Sequence, residues 1–335
     1  MLIHAQACMH AGDVLIPFEY DPGEIKPTDI EISISHCGIC HSDLHLMEND
    51  WGTNSYPLVP GHEIVGVVTA TGAEVAGINK GMRVGVGWQR GSCGDCSHCV
   101  AGEENVCTRT EATCIGSFGG FAEAIRCHHR FVFPIPDVIS SELAAPLLCA
   151  GVTVFSPLAR AGIASGMKVG VLGIGGLGHL ALQFAKAMGA DVTAISSSKD
   201  KEEEARKLGA DHFINSSNGM QMKRASRSFH FLISTVSSGL EWTHFLSQVR
   251  PGGDMCLVGV PKEPLVIPIG TLIGGQKSIS GSSIGGTKSM QAMLKFAAKH
   301  DVRPQVECLP MDQANLGITK LKNNSARYRI VLLNF

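Results

Sequence analysis

The sequence predicts an α/β protein in which a doubly wound parallel sheet follows a mostly β region, and three observations carry that expectation. A glycine turn, Gly173-Ile174-Gly175-Gly176-Leu177-Gly178, stands between a strand-like and a helix-like run. From about Gly151 onward, strand-length apolar runs alternate with amphipathic helix-length segments, the pattern of parallel strands joined by crossover helices. Before that point, short β-like runs are punctuated by Gly and Pro. A chain of 335 residues is long enough for about two domains, each with its own core.

In the first half the β-like runs are Ile30 to Ser35, Ile64 to Ala70 and Arg83 to Val86. The second half opens with a strand at Met167 to Leu172. A helix at Leu177 to Met188 follows, with Leu177, Leu180, Ala181, Phe184 and Met188 on one stripe. Asp191 to Ser196, Phe213 to Ile214, Phe229 to Ser234 and Met255 to Val258 read as the next strands, and Asp200 to Leu208 and Leu240 to Val249 as helices between some of them. The charge-rich run Lys199 to Lys207 reads as a solvated helix face.

Composition narrows the function. The 28 Lys and Arg against 30 Asp and Glu leave a formal charge of -2, which excludes a general electrostatic attraction to nucleic acid or to an anionic membrane. The 6% of aromatic residues leaves little for base-stacking platforms. Pro146, Gly151 and Pro157 interrupt the apolar stretch Ala144 to Ala161, so no membrane-spanning helix is expected there. Met1 to Tyr20 lacks the basic start and apolar run of a secretory signal. The expectation is a cytoplasmic protein, in which twelve cysteines point to metal or catalysis before disulfides.

Four of those cysteines, Cys93, Cys96, Cys99 and Cys107, are spaced x2, x2 and x7 in a segment full of Gly, Ser and Asp. Four soft ligands so close together fit a closed tetrahedral zinc site that stabilises a loop with little core of its own. A ferredoxin-type cluster would have a shorter last gap and a proline after the fourth cysteine, where Thr108 stands. A second group of potential ligands is dispersed over GICHSDLH (38–45), Gly61-His62-Glu63 and LLCAG (147–151), and spacing alone does not show that Cys40, His62 and Cys149 meet. Cys8, Cys37, Cys114, Cys127, Cys256 and Cys308 are expected to be buried small apolar side chains.

The glycine turn has the context a dinucleotide fingerprint requires. One glycine allows the tight turn, one lets backbone approach a pyrophosphate, and one permits close packing of helix on strand, with the helix N-terminus facing the phosphates. Gly173, Gly175, Gly176, Leu177 and Gly178 are therefore candidate cofactor residues. An acidic residue at the end of the second strand normally accepts from the adenine ribose of NAD. Here that position reads Ser196-Ser197-Ser198-Lys199-Asp200-Lys201. Hydroxyls and ammonium groups suit a 2′-phosphate, which a carboxylate would repel, so the expected cofactor is NADP(H).

The strings GICHSDLH, PGHEIVG, GSCGDCSHCVAGEENVC, PLLCAGVTVF and GIGGLG resemble the zinc-containing medium-chain dehydrogenase/reductase superfamily. Within it the chain is most similar to the cinnamyl-alcohol-dehydrogenase branch and its bacterial NADPH-dependent aldehyde reductases. YDPGE, YPLVPGHE, GVGW, SSSKDK and ARYRIVL extend the likeness over nearly the whole chain.

The resemblance implies a GroES-like catalytic domain at residues 1–150 and 286–335, and a Rossmann NADP-binding domain at 151–285 with the active site in the cleft. It implies two zinc ions per chain: a structural one on Cys93, Cys96, Cys99 and Cys107, and a catalytic one on Cys40, His62 and Cys149, with Glu63 entering and leaving the coordination sphere. Asp43 would fix the tautomer of His62. Ser42 would hold the substrate oxygen and pass its proton through the cofactor ribose toward His45. Thr153, Val258, Val260 and Ser283 would line the nicotinamide. Trp51 and Ile284 would line the pocket for a small aldehyde or alcohol. Pro264 to Ile284 would pair with its copy in a homodimer. Two rival expectations are an NAD-dependent secondary-alcohol or polyol dehydrogenase, which should carry Asp or Glu near Ser196, and a non-catalytic NADPH-binding thiol redox sensor, which should lack a catalytic ligand.

Overall fold

In the computed structural model, which describes residues 2–261 and 263–334, the chain divides into two units. The first comprises Met1–Val152, Gly285–Lys299 and Pro304–Phe335, and the second Thr153–Ile284 with His300–Arg303.

The first unit is organised around Asp29–Ile39, a strand whose Ile30, Ile32, Cys37 and Ile39 are buried. It pairs antiparallel with Ile64–Thr71, Ala124–His128 and Arg329–Leu333. The C-terminal strand sets Ile330 opposite Ile39, so Arg329 arrives beside the turn where Cys40 begins the helix His41–Glu48. Strands Arg83–Val86, Phe133–Pro134 and Val306–Pro310 complete this seven-stranded sheet.

The apolar stretch expected to be interrupted is instead helical from Ser141 to Arg160, with a π turn at Leu147–Gly151. That turn follows Pro146 directly, where a missing amide has already broken the regular hydrogen-bond ladder. By length and composition the segment could cross a membrane, but 78% of it is buried within the protein, as in the core helix of a globular fold.

The second unit has six parallel strands in the order His212–Asn215, Asp191–Ser196, Lys168–Leu172, Phe229–Ser234, Val249–Leu257, Ser278–Gly281. Chain order reverses between Lys168–Leu172 and Phe229–Ser234, which makes the carboxyl end of Lys168–Leu172 the switch point where open α/β sheets bind ligands. Leu180, Ala181 and Phe184, on the helix Gly178–Ala187, are fully buried.

Candidate active site

Cys40, His62, Glu63 and Cys149 meet in the first unit. Their ligand atoms lie within 4.8 Å of one another and all four residues are buried. Ligands held 2.0 to 2.3 Å from one zinc ion stand at most about 4.6 Å apart, so the set is close to coordinating spacing. Cys40 ends the central strand and caps the helix His41–Glu48, while Cys149 projects from the π turn. Asp43, fully buried in that helix's first turn, accepts from the Cys40 amide at 2.8 Å and from the Gly61 amide at 2.9 Å. Its Oδ1 also lies 3.0 Å from His62 Nδ1, which leaves Nε2 to face the sulfurs.

Two buried atoms at the centre have no hydrogen-bond partner among the described residues: His62 Nε2 and Glu63 Oε2. An orphaned imidazole nitrogen beside two thiols is what a metal ligand looks like without its ion. Gly38 leaves the room for Glu63, since a Cβ there would collide with the Glu63 carboxylate. Glu63 Oε1 pairs with the Arg329 guanidinium, also buried.

Protonation tells the same story. The hydrogen bond from Cys149 holds the Cys40 thiol well below its usual range, and the Cys149 thiol is correspondingly pushed well above its own. Burial pulls the His62 imidazolium down, but the Asp43 carboxylate and the Cys149 sulfur outweigh it and set His62 well above its ordinary value. Burial raises Glu63 to about 7 despite Arg329. Protons thus occupy lone pairs for which a divalent cation would compete. Two sulfurs, one imidazole and a carboxylate engaged elsewhere fit a zinc site with an open position.

A row of rings leads away from His62. Trp88 packs edge-on at 4.9 Å, Trp51 lies 6.1 Å from Trp88, and His45 lies 5.4 Å from Trp51. His45 Nδ1 is 2.7 Å from Asp50 Oδ2, and Ser42 Oγ is 3.8 Å from Cys40 Sγ. Nothing local in the sequence marks Trp88, Asp50 or Arg329 as site residues. GVGW and ARYRIVL marked the segments of two of them, but no local pattern assigned their side chains a place.

Cys93, Cys96, Cys99 and Cys107 also converge to within 4.8 Å. Cys93 Sγ lies 3.7 Å from Cys99 Sγ and 3.5 Å from Cys107 Sγ. A zinc tetrahedron with bonds near 2.3 Å has sulfur edges of about 3.8 Å, whereas a disulfide is about 2.05 Å, so the spacing fits a shared ion. The Cys96 and Arg109 amides point at Cys93 Sγ and Cys107 Sγ, and the Ser92 hydroxyl is 3.3 Å from Cys99 Sγ. The lobe is tied down by Glu104, a fully buried carboxylate that accepts from the Thr287 amide and hydroxyl, each at 2.9 Å, and pairs with Arg130. Five of the six cysteines outside these clusters are buried, but Cys308 is exposed, because its strand Val306–Pro310 lies at the sheet edge with little covering it.

In the second unit, Gly173 has φ +89°, a conformation costly for any residue with a Cβ, and Gly178 packs so tightly that a Cβ would strike the Gly173 carbonyl. A Cβ on Gly175 would meet nothing within 4 Å, so that side of the turn is open to a ligand. The amides of Ile174, Gly175, Gly176 and Leu177 donate to none of the described residues, as a phosphate cradle requires. Ser196 is buried at the end of its strand, Ser197 and Lys199 are exposed, and the Ser198 amide donates to Ser196 Oγ at 3.2 Å. Lys201 reaches back to the turn, with Nζ 2.7 Å from Ile174 O. Val258 and Val260 follow the strand Val249–Leu257, and Ser283 follows Ser278–Gly281, so these three also lie beyond carboxyl ends of the sheet. Thr153 is buried near the start of the helix Val152–Arg160, and Ile284 closes the second unit with φ +39°.

This combination defines a zinc-ligating catalytic unit joined to a dinucleotide-binding unit. Residues 26–137 match the alcohol dehydrogenase GroES-like domain and residues 176–299 the zinc-binding dehydrogenase family. The chain is 43% identical to aldehyde reductase AdhA of Synechocystis, over 99% of this chain and 98% of that protein. Among solved structures it is similar to a cinnamyl alcohol dehydrogenase of Sorghum bicolor, with TM-score 0.96 and 41% identity over 99% of this chain and 97% of that one. It also resembles the cinnamyl alcohol dehydrogenase of Helicobacter pylori complexed with NADP(H), with TM-score 0.92 and 31% identity over 99% and 98%. The chain belongs to the zinc-binding alcohol dehydrogenase family, in its cinnamyl-alcohol-dehydrogenase branch, and its activity is that of an alcohol/aldehyde dehydrogenase.

Proposed function

We infer that the protein is an NADP(H)-dependent zinc alcohol dehydrogenase that reduces a broad range of aldehydes and, in reverse, oxidises primary alcohols. The observation that carries this reading is the buried meeting of Cys40, His62 and Cys149 around the unpartnered His62 Nε2. It also weighs against a thiol sensor, since no ligand is missing. When bound, zinc supplies a Lewis acid for a carbonyl or alcohol oxygen, and the dinucleotide supplies or takes up the hydride.

The chain's own residues do the rest. Cys40, His62 and Cys149 hold the metal, Asp43 keeps Nδ1 of His62 occupied so that Nε2 ligates, and Glu63 is a reserve ligand restrained by Arg329. Ser42 Oγ holds the substrate oxygen and moves its proton. His45, with Nδ1 turned to Asp50, leaves Nε2 to store that proton. Trp51 and Trp88 form an apolar wall for the substrate. Cys93, Cys96, Cys99 and Cys107 hold the structural ion.

Gly173, Gly175, Gly176, Leu177 and Gly178 take the pyrophosphate, while Thr153, Val258, Val260 and Ser283 contact the nicotinamide. Ser196, Ser197, Ser198, Lys199 and Lys201 select the 2′-phosphate, supported by the lack of any carboxylate at the end of Asp191–Ser196 and by the place of Lys201 Nζ at the turn. Among the described residues Ser278–Gly281 is paired on one side only, and the preceding segment exposes Leu265, Val266, Ile269 and Ile273, which suits pairing with its copy in a cytoplasmic homodimer.

Rates with a panel of aldehydes and alcohols, each measured with NADPH/NADP and NADH/NAD, test the assignment. NADPH should be preferred. Ser196→Asp should cut kcat/KM for NADPH by about a hundred-fold through like-charge repulsion and leave NADH nearly unaffected. Equal use of both cofactors by the native protein, or unchanged selectivity in the variant, would overturn the cofactor reading. A preference for secondary alcohols or polyols with NAD would favour the rival enzyme.

A further inference from the structure

The consecutive carbonyls from Leu172 to Gly175, where the strand enters the glycine turn, each meet a side-chain donor. Thr235 Oγ1 lies 3.1 Å from Leu172 O and 3.2 Å from Gly173 O. Lys201 Nζ lies 2.7 Å from Ile174 O. Gly175 O accepts twice from one residue, at 3.1 Å from the amide of His179 and at 3.0 Å with its ring Nδ1. His179 is fully buried, a costly place for an imidazole unless it is put to use.

A trans peptide is planar, and its C=O and the N–H of the next residue point in opposite directions. Holding Gly173 O, Ile174 O and Gly175 O therefore fixes the amides of Ile174, Gly175 and Gly176, each directed away from its own held carbonyl, and among the described residues these amides have no acceptor. Glycines make such a turn possible but leave it free to flip peptides. Donors along the carbonyl edge remove that freedom before a ligand arrives.

We propose that His179 and Thr235 are positioning residues that pin the carbonyl edge of the turn and so pre-aim its amides at the cofactor's pyrophosphate. The proposal rests on the assignment of this turn to the dinucleotide, and the test separates the two. ADP carries the pyrophosphate and adenosine 2′-monophosphate does not, so calorimetric titration of the zinc-loaded full-length protein with each reads the turn directly, without turnover.

Thr235→Val keeps the volume and removes the hydroxyl. His179→Leu removes the ring donor, and His179→Asn places an amide donor where Nδ1 stood. Thr235→Val and His179→Leu should each weaken ADP about ten-fold, the weight of one hydrogen bond. Both should leave adenosine 2′-monophosphate unchanged, and His179→Asn should bind ADP within about two-fold of the native protein, since its donor is kept. Native-like ADP affinity in Thr235→Val and His179→Leu would overturn the proposal, as would equal weakening of both nucleotides, the mark of a general loss of structure. If His179→Leu does not fold, Thr235→Val and His179→Asn decide. If the native protein itself binds no ADP, the assignment of the turn fails, and the proposal with it.

Discussion

The two sulfur clusters of the first unit are built in opposite ways. Cys93, Cys96, Cys99 and Cys107 fall within one short segment, 93–107, around the helix Ser97–Ala101, whereas Cys40 follows a strand end, His62 follows Gly61 and Cys149 lies in a π turn. The first set has four like ligands, all sulfur, with the Ser92 hydroxyl beside Cys99. The second mixes sulfur, imidazole and a carboxylate drawn aside by Arg329, and it has Asp43 behind it. A loop with little apolar core can use a metal as its core, so its ligands must be near in sequence. A reacting centre needs a vacant position and a fixed tautomer, and only an already folded sheet supplies those. On the proposed assignment, metal at the lobe would serve stability and metal at the sheet would serve chemistry.

The sharpest way to break this contrast is one substitution in each cluster. Cys40→Ser should lower turnover by at least about a thousand-fold, since several kcal/mol of charge stabilisation are withdrawn. Its melting temperature should stay near that of the native protein, and metal analysis should show the catalytic ion lost. A folded Cys40→Ser variant with full turnover would remove the catalytic-ligand assignment. Cys107→Ser should reverse the pattern. Its melting temperature should fall on the order of 10 °C, several kcal/mol at about 2–4 °C each, while turnover at low temperature changes much less.

How far each cluster was legible follows from the same difference. The lobe's four cysteines announce themselves by spacing, and the glycine turn by its place between strand and helix, because both signals are local. The dispersed ligands are visible only through resemblance, since Cys40, His62 and Cys149 come from three separate elements; Glu63 and Arg329, 266 positions apart, likewise meet where Arg329–Leu333 pairs with Asp29–Ile39. Strands outrun their apolar pattern where alternation breaks. Asp29–Ile39 runs on past Ser35 through a register shift between Ile34 and His36. Val249–Leu257 begins six residues before Met255 because Pro251-Gly252-Gly253 looks like a turn but lies inside an irregular strand pairing. Prolines at 146 and 157 suggested a broken segment, yet the helix absorbs the first in a π turn, and that same turn presents Cys149.

The contrast extends to the groups behind the ligands, where smaller effects are expected. Asp43 accepts from His62 Nδ1 and from the amides of Cys40 and Gly61, so it orders three parts of the catalytic centre at once. Asp43→Asn keeps the shape but places a donor and removes the charge that sets the His62 tautomer. Loss of such a partner costs about 10–100-fold in metal affinity or activity, and zinc titration together with kcat should fall in that range. At the lobe, the Ser92 hydroxyl beside Cys99 is one polar group among several around four equivalent sulfurs. Ser92→Ala should lower the melting temperature by no more than about 4 °C, the weight of a single hydrogen bond, and leave kcat/KM unchanged. If Ser92→Ala instead damaged turnover as much as Asp43→Asn does, the lobe would be acting on the chemistry and the division between a stabilising and a reacting cluster would fail.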